Sequence, residues 1–303
     1  FTKFLKMMKK VIKDKQYDFL RLDPIPTKKD VDEYYKKEFY AANSNFFNNS
    51  SLEVQKKQSD FFNSRWENIY DYCKKKFNGD IKGKKIFDIG FGFAQSLLYY
   101  RDKKNLRVSG IEPSTEGFNY AKSKGIECFN QGIDDLKEFD VSADSDIVML
   151  LNVLEHLRNP ALTLNLIKEK LLKKNGILVV EVPNDFNHFQ QVANKEFNLD
   201  EWWVVSPNHI NYFSPESLIN LMRRCDYEIF EYHTSFPLEI FLLFGENYIN
   251  NREIGTKCHE KRVKFEKLML KHGKKDVLNQ LYKSLASIGL GRSLTVYATP
   301  KNV

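Results

Sequence analysis

KKIFDIGFGFAQSLLYY, residues 84–100, is the stretch on which the fold turns. Apolar residues lead up to Asp88, two glycines follow as Gly90-Phe-Gly92, and an apolar helix-like run comes next. Glycine lets a backbone turn tightly and approach a ligand with no Cβ in the way. In open α/β sheets, ligands bind beyond the carboxyl ends of strands where the strand order reverses. A nucleotide-shaped ligand and a plain strand-to-helix turn both account for the pair of glycines. A dinucleotide fingerprint needs a third small residue to close GxGxxG, but Gln95 stands there and Ala94 is out of register. The carboxylate of Asp88 would also repel a pyrophosphate. It suits a ligand that carries positive charge.

Working outward, short β-like runs alternate with helix-like segments. The runs are KIFDIG (85–90), RVSGIEP (107–113), IECFNQ (126–131), DIVMLLNV (146–153) and ILVVEVP (177–183). This alternation predicts βαβ units and a mostly parallel sheet covered on both faces. Lys174-Asn175-Gly176 is expected to close the long helix before the fifth strand. Ser214-Pro215 opens another helix as N-cap and first residue, and YEIFEYHT (227–234) and SLTVYATP (293–300) read as the last strands. Residues 1–80 are expected to be helical and irregular, with Thr27 as an N-cap. Glu112 ends the second strand, twenty residues past Gly92. A carboxylate at that place can accept both hydroxyls of a ribose, and a surface acid at a strand end is the alternative.

Composition bounds the function classes. Lysines and arginines number 47 against 40 acids, a net charge of +7, but the lysines are dispersed and interleaved with acids. Dispersed lysine solvates a surface, whereas nucleic-acid binding favours a concentrated basic face. No nucleic-acid partner is expected. Four scattered cysteines (Cys73, Cys128, Cys225, Cys258) fit neither a zinc ribbon nor a disulfide framework. No run approaches a membrane span, so a cytoplasmic protein is expected. No metal is expected either, because no cluster of ligands stands out in the chain.

FDIGFGFA, VSGIEPS, NQGIDDL, LLNVLEHLRNP, KKNGILVVEVPN and PNHINYFSPESL together resemble a class I S-adenosylmethionine-dependent methyltransferase, in the right order and at the right intervals. The resemblance covers roughly residues 80–235 plus the final strand. It is strongest to small-molecule enzymes acting on sugars in antibiotic and surface-polysaccharide pathways. It implies a Rossmann-like α/β fold with a seven-stranded, mostly parallel sheet and an antiparallel last strand. On this plan 1–80 is a helical N-terminal cap. Residues 81–235 are the cofactor-binding domain with a lid over 184–213, 236–290 a helical insertion, and 291–303 the final strand.

The resemblance also implies roles. Asp88, Gly90 and Gly92 would line the methionine portion of S-adenosylmethionine, and Glu112 would hold the ribose. Pro113 and Ser114 would flank the adenine, with Gly132, Ile133 and Asp134 on its other face; helix capping is the alternative for Asp134. Asn152 would offer its backbone near the amino group, and Leu154 and Glu155 would form the wall toward the sulfonium. Among six histidines, His209 is the candidate general base, because sugar methyltransferases with a similar PNHINYF motif use a histidine there. His156 would reach the reacting centre or brace its loop. Tyr212 and Trp202-Trp203 would wall the acceptor or bury the lid, and Tyr34, Tyr35 and Tyr40 would cover the cofactor or pack in the core.

Nucleobase amino methylation is disfavoured, since Asn152-Val-Leu-Glu155 replaces the Asn/Asp-Pro-Pro-aromatic signature. The expected acceptor is a small polar molecule, a hydroxyl of a sugar, sugar phosphate or nucleotide sugar on the way to capsule or lipopolysaccharide. Lys257, Lys261 and Lys264 suit a phosphorylated, anionic one. The insertion completes the acceptor site or forms a homodimer interface. A quinone-like or other lipid or aromatic acceptor is the rival substrate class. A nicotinamide-dependent oxidoreductase and a non-catalytic S-adenosylmethionine-binding protein are the rivals from other classes.

Overall fold

The computed structural model describes residues 10–34, 52–133 and 144–301. Its N-terminal part holds β1 (Lys10–Lys13), β2 (Leu20–Asp23), α1 (Lys28–Tyr34) and the long α2 (Leu52–Lys76). The βα alternation then follows as β3 (Lys85–Ile89), α3 (Gln95–Lys104), β4 (Arg107–Ile111), α4 (Thr115–Ser123), β5 (Glu127–Phe129), β6 (Ser145–Leu151), α5 (Pro160–Lys170) and β7 (Leu172–Pro183). After it come α6 (His188–Glu196), β8 (Asn211–Tyr212), α7 (Pro215–Arg224), β9 (Tyr227–Thr234), α8 (Glu239–Leu243), α9 (Arg252–Lys271), α10 (Lys275–Ser287) and β10 (Ser293–Pro300). No described helix is long and apolar enough to cross a membrane.

Seven strands form one sheet in the order β5-β4-β3-β6-β7-β10-β9. The first five are parallel, and β10 runs antiparallel to both β7 and β9. The expected seven-stranded architecture is therefore present. Strands β3 and β6 are buried on both faces along most of their length, because helices cover both sides of a parallel sheet. One apolar layer packs Trp66, Tyr100 and Tyr297 on one face, and the other packs Leu164, Phe213 and Leu218 on the opposite face.

Two local expectations are corrected. Helix α5 ends at Lys170, and Gly176 lies inside β7 rather than capping the helix. Between Ser145 and Ile147 of β6 the register on β7 jumps from Leu172 to Ile177, so residues 173–176 bulge out of the ladder. The N-terminal segment is not helical throughout. β1 and β2 form a hairpin, and β2 pairs with β8 to make a small three-stranded sheet with the 184–213 segment. Thr27 does cap α1, its Oγ1 accepting from Asp30 N at 3.2 Å. At 236–290 the insertion is built of α8, α9 and α10.

Candidate active site

The chain leaves β3 toward β4 and leaves β6 toward β7, on opposite sides, so a crevice opens between the two strand ends. Gly90 and Gly92 both have positive φ, 70° and 56°. A Cβ on Gly90 would stand 2.8 Å from Val153 Cγ2, so glycine there permits packing against the β6 loop. Gly92 has nothing within 4 Å on that side and leaves the backbone approachable. Ala94 is also left-handed, and α3 begins with no side-chain cap, so its first-turn N–H groups keep capacity for a ligand.

Two buried carboxyls stand behind this loop. Glu112, 3% exposed, accepts from Gly92 N at 2.7 Å and from Ser114 N at 2.8 Å. It braces the glycine turn against the end of β4. Asp88, 2% exposed, accepts from Ser96 Oγ at 2.5 Å, and burial pushes its carboxyl up to about 7. A positive ligand group beside it would favour the ionised form. These residues fit the amino-acid and ribose parts of S-adenosylmethionine.

The other cofactor candidates divide. Pro113 is exposed and Gly132 half-buried at the ends of β4 and β5. Ile133 is 6% exposed and packs in the apolar core, so it supports that loop from beneath. Asp134, Tyr35 and Tyr40 lie outside the described residues. Asn152 is exposed, left-handed at φ 60°, and donates its N–H to Glu181 O at 2.8 Å, which continues the β6–β7 ladder into the loop.

A short 3₁₀ turn, Leu154–His156, follows β6. The segment 208–212 is strapped onto it. Ile210 N donates to Glu155 O at 2.8 Å, Asn211 Nδ2 to Leu157 O at 2.7 Å, and His156 Nδ1 meets Asn208 O at 2.8 Å. The hairpin holds the strap from outside: Leu22 N donates to Ile210 O at 2.9 Å and Arg21 Nη2 to Arg158 O at 3.0 Å. These bonds bring His209 onto His156, ring centroids 5.0 Å apart and edge to face. One ligand atom from each of Glu155, His156 and His209 lies within 4.8 Å of the others.

In this cluster Glu155 is buried and the two histidines are half-buried. Glu155 is 2% exposed, and burial holds its carboxyl well above the usual range, with Asp185 and Glu181 adding repulsion. His156 is held below its usual value by burial, against its bonds to the Asn208 and Asn152 backbone. Burial and the neighbouring His156 push His209 down to about 3. Tyr212 is 2% exposed and donates its hydroxyl to His209 O at 3.0 Å. This bond ties the strap to itself. Trp203 is buried against Phe186, ring centroids 5.4 Å apart, and Trp202 packs edge-on to Trp203 at 4.6 Å.

Beside Asn152 lies a cavity of about 630 Å³ between the sheet edge, α2, α9 and α10, lined by Arg65, Glu181, Thr234, Arg262, Lys267 and Tyr282 among others. Arg65 Nε donates to Glu181 Oε2 at 2.8 Å. Lys257 pairs with Glu253 and Lys261 with Glu246, and both lysines, like Lys264, face solvent. None of these three lines the cavity. The basic groups that do are Arg65, Arg262, Lys267 and Lys275. Sequence reading missed Arg65 and Arg262, because a lone arginine in an amphipathic helix carries no pattern of its own.

A family model described as a methyltransferase domain matches residues 63–232, more than half of the chain. No curated protein sequence matches. Among solved structures, the chain is similar to a SAM-dependent methyltransferase from Archaeoglobus fulgidus, at 16% identity and a TM-score of 0.52, over 86% of this chain and 100% of that one. It is also similar to the plantazolicin methyltransferase BamL, solved with a triazolic desmethylPZN analog and SAH, at 14% identity and a TM-score of 0.54, over 90% and 94%. At such identities the likeness is one of fold.

Proposed function

Since the chain belongs to the methyltransferase domain family and is an S-adenosylmethionine-dependent enzyme, we propose that it methylates a hydroxyl of a small polar acceptor. The acceptor class we favour is a sugar, sugar phosphate or nucleotide sugar of surface-polysaccharide synthesis. The observation that carries this reading is the cavity past the end of β6, where Arg65, Arg262 and Lys267 stand among a largely apolar lining and whose volume of about 630 Å³ suits a molecule of that size. Arg262 and Lys267, in place of the solvent-facing lysines of α9, supply the charge for a phosphorylated acceptor.

S-adenosylmethionine supplies an electrophilic methyl on a sulfonium, whose transfer forms the new C–O bond, breaks C–S to leave a neutral thioether, and frees the hydroxyl's proton. Asp88 and Glu112 hold the cofactor's charged and ribose ends from buried positions. His209, neutral at ordinary pH because of its burial, is the candidate general base for the acceptor hydroxyl, although it stands on the strap and is not among the residues that line the cavity. Burial opposes a full imidazolium there, so the proton passes through the half-buried His209 to solvent.

Calorimetric titration with S-adenosylhomocysteine, S-adenosylmethionine and NAD tests the cofactor half of this reading. Binding of S-adenosylmethionine and of S-adenosylhomocysteine is expected, with Glu112→Ala weakening it at least about tenfold, because the mutant leaves the Gly92 and Ser114 N–H groups unpaired as well. A nucleotide-sugar panel then tests the acceptor half. Turnover of quinone-like phenols and of no sugar would overturn it.

A further inference from the structure

We propose that the pocket at the amino ends of the parallel strands is a second binding site, for a small molecule that carries a chain of two or more phosphates. It lies at the far end of β3 from the glycine turn, roughly 20 Å away along the strand. Its volume is about 490 Å³, and Lys76, Lys84, Asp146, Lys173, Lys174 and Glu228 supply the charge of its lining. Four ammonium groups thus share a pocket with two carboxylates. These lysines stand far apart in the chain, and the fold gathers them.

Three observations make this a built pocket and not a chance meeting of solvated side chains. Asp146, 8% exposed, accepts from Lys85 N at 2.9 Å and from Lys173 Nζ at 3.0 Å, and Lys84 Nζ stands 3.7 Å away. One buried carboxylate therefore anchors two ammonium groups and balances the charge of one. Next, Lys76 Nζ lies 4.7 Å from the ring centroid of Phe230, and Lys84 Nζ 4.3 Å from that of Phe77. A neutral ring fixes the position of a cation without cancelling its charge. Among the described residues, neither Lys76 nor Lys174 has a carboxylate within ion-pair distance. Lastly, Lys173, Lys174 and Asn175 belong to the segment that bulges out of the β6–β7 ladder. A bulge gives up ladder hydrogen bonds and re-aims the side chains it carries, and all three of these line the pocket.

The charge pattern selects the ligand. Lysine binds phosphate as a point charge, without the fork geometry that arginine imposes. Successive phosphates of a short chain can meet Lys76 of α2, Lys174 of the bulge and the pair anchored on Asp146, whereas a single carboxylate leaves most of that charge unanswered. Asn78, Asn175 and Thr299 complete the polar lining and offer hydrogen bonds to a sugar or base. The pocket shares no residue with the acceptor cavity.

The probe is inorganic tripolyphosphate, with ADP beside it, added to the full chain at matched ionic strength. Lysine reactivity toward an acetylating ester, read residue by residue by mass spectrometry, reports where it binds. Lys76 and Lys174 are expected to react at least about fivefold more slowly in its presence, and Lys257 and Lys264 of α9 at their unperturbed rate. Slowing by tripolyphosphate alone assigns an inorganic chain, and slowing by both compounds a nucleotide. Lys76→Gln combined with Lys174→Gln is expected to weaken binding at least about tenfold in calorimetry, and retained binding of S-adenosylhomocysteine confirms that this variant is folded. Equal slowing at Lys257 and Lys264 would mark an adventitious ion only and overturn the proposal. Slowing at Lys267 and Lys275 without Lys76 and Lys174 would place the phosphates in the acceptor cavity and overturn it too. So would protection by a single-stranded oligonucleotide and by neither small compound, which would make the partner a nucleic acid.

Discussion

Asp88 shows how a single side chain is tuned by position. Its burial raises the carboxyl to about 7, against the pull of Ser96 and Arg65 in the other direction. A carboxyl raised on folding binds its proton more tightly in the folded chain, so its contribution to stability is full at acid pH and is lost as pH rises through about 7. A bound cofactor that places positive charge beside Asp88 reverses the preference. Binding of S-adenosylmethionine is therefore expected to release a proton and to tighten as pH rises from about 6 to 8. Calorimetry in buffers of different ionisation enthalpy measures that release directly, and Asp88→Asn should remove it. The place of Asp88, Gly90, Gly92 and Glu112 at the ends of β3 and β4 was legible in the sequence, because a strand end followed by glycines carries a local pattern. Nothing local says that the Tyr212 hydroxyl turns back to the carbonyl of His209.

At the scale of elements, the N-terminal hairpin is the piece that sequence patterning did not foresee. Its two strands have four residues each, too few for a period of two to stand out from chance. They are strands because β8 offers an edge and because Phe19 and Leu22 find a buried seat. Phe19 packs on Phe213 with ring centroids 5.1 Å apart. Phe19→Ala is expected to cost about 3 kcal/mol in denaturant unfolding. The loosened strap that carries His209 should lower kcat several-fold and leave cofactor affinity within about twofold. Equal losses of cofactor affinity and turnover would mean that the hairpin supports the whole domain and not the strap. The helix of 160–170 was expected to run on to Gly176 because Lys-Asn-Gly is a common helix ending. Pairing of Leu172 with Ser145 won instead, and the glycine was absorbed in a bulge.

For the whole molecule, the telling feature is how far the parts of the candidate site travel to meet. The cavity draws on α2, the ends of β6, β7 and β9, the start of β10, and helices α9 and α10. Asn279 lines it from α10 and is half-buried. Asn279→Trp is expected to raise the acceptor KM at least about tenfold by filling that space and to leave S-adenosylmethionine affinity unchanged. Unchanged KM would place the acceptor elsewhere. By itself the sequence determined the five parallel strands, the glycine turn after the first of them and the last two strands, since alternating periods, glycines and strand-end acids are local signals. Only the tertiary structure decided that Glu155 and His156 face His209 and that Arg65 faces Glu181. Those meetings depend on hydrogen bonds and ion pairs between segments 50 to more than 100 residues apart, and no window of sequence contains both partners.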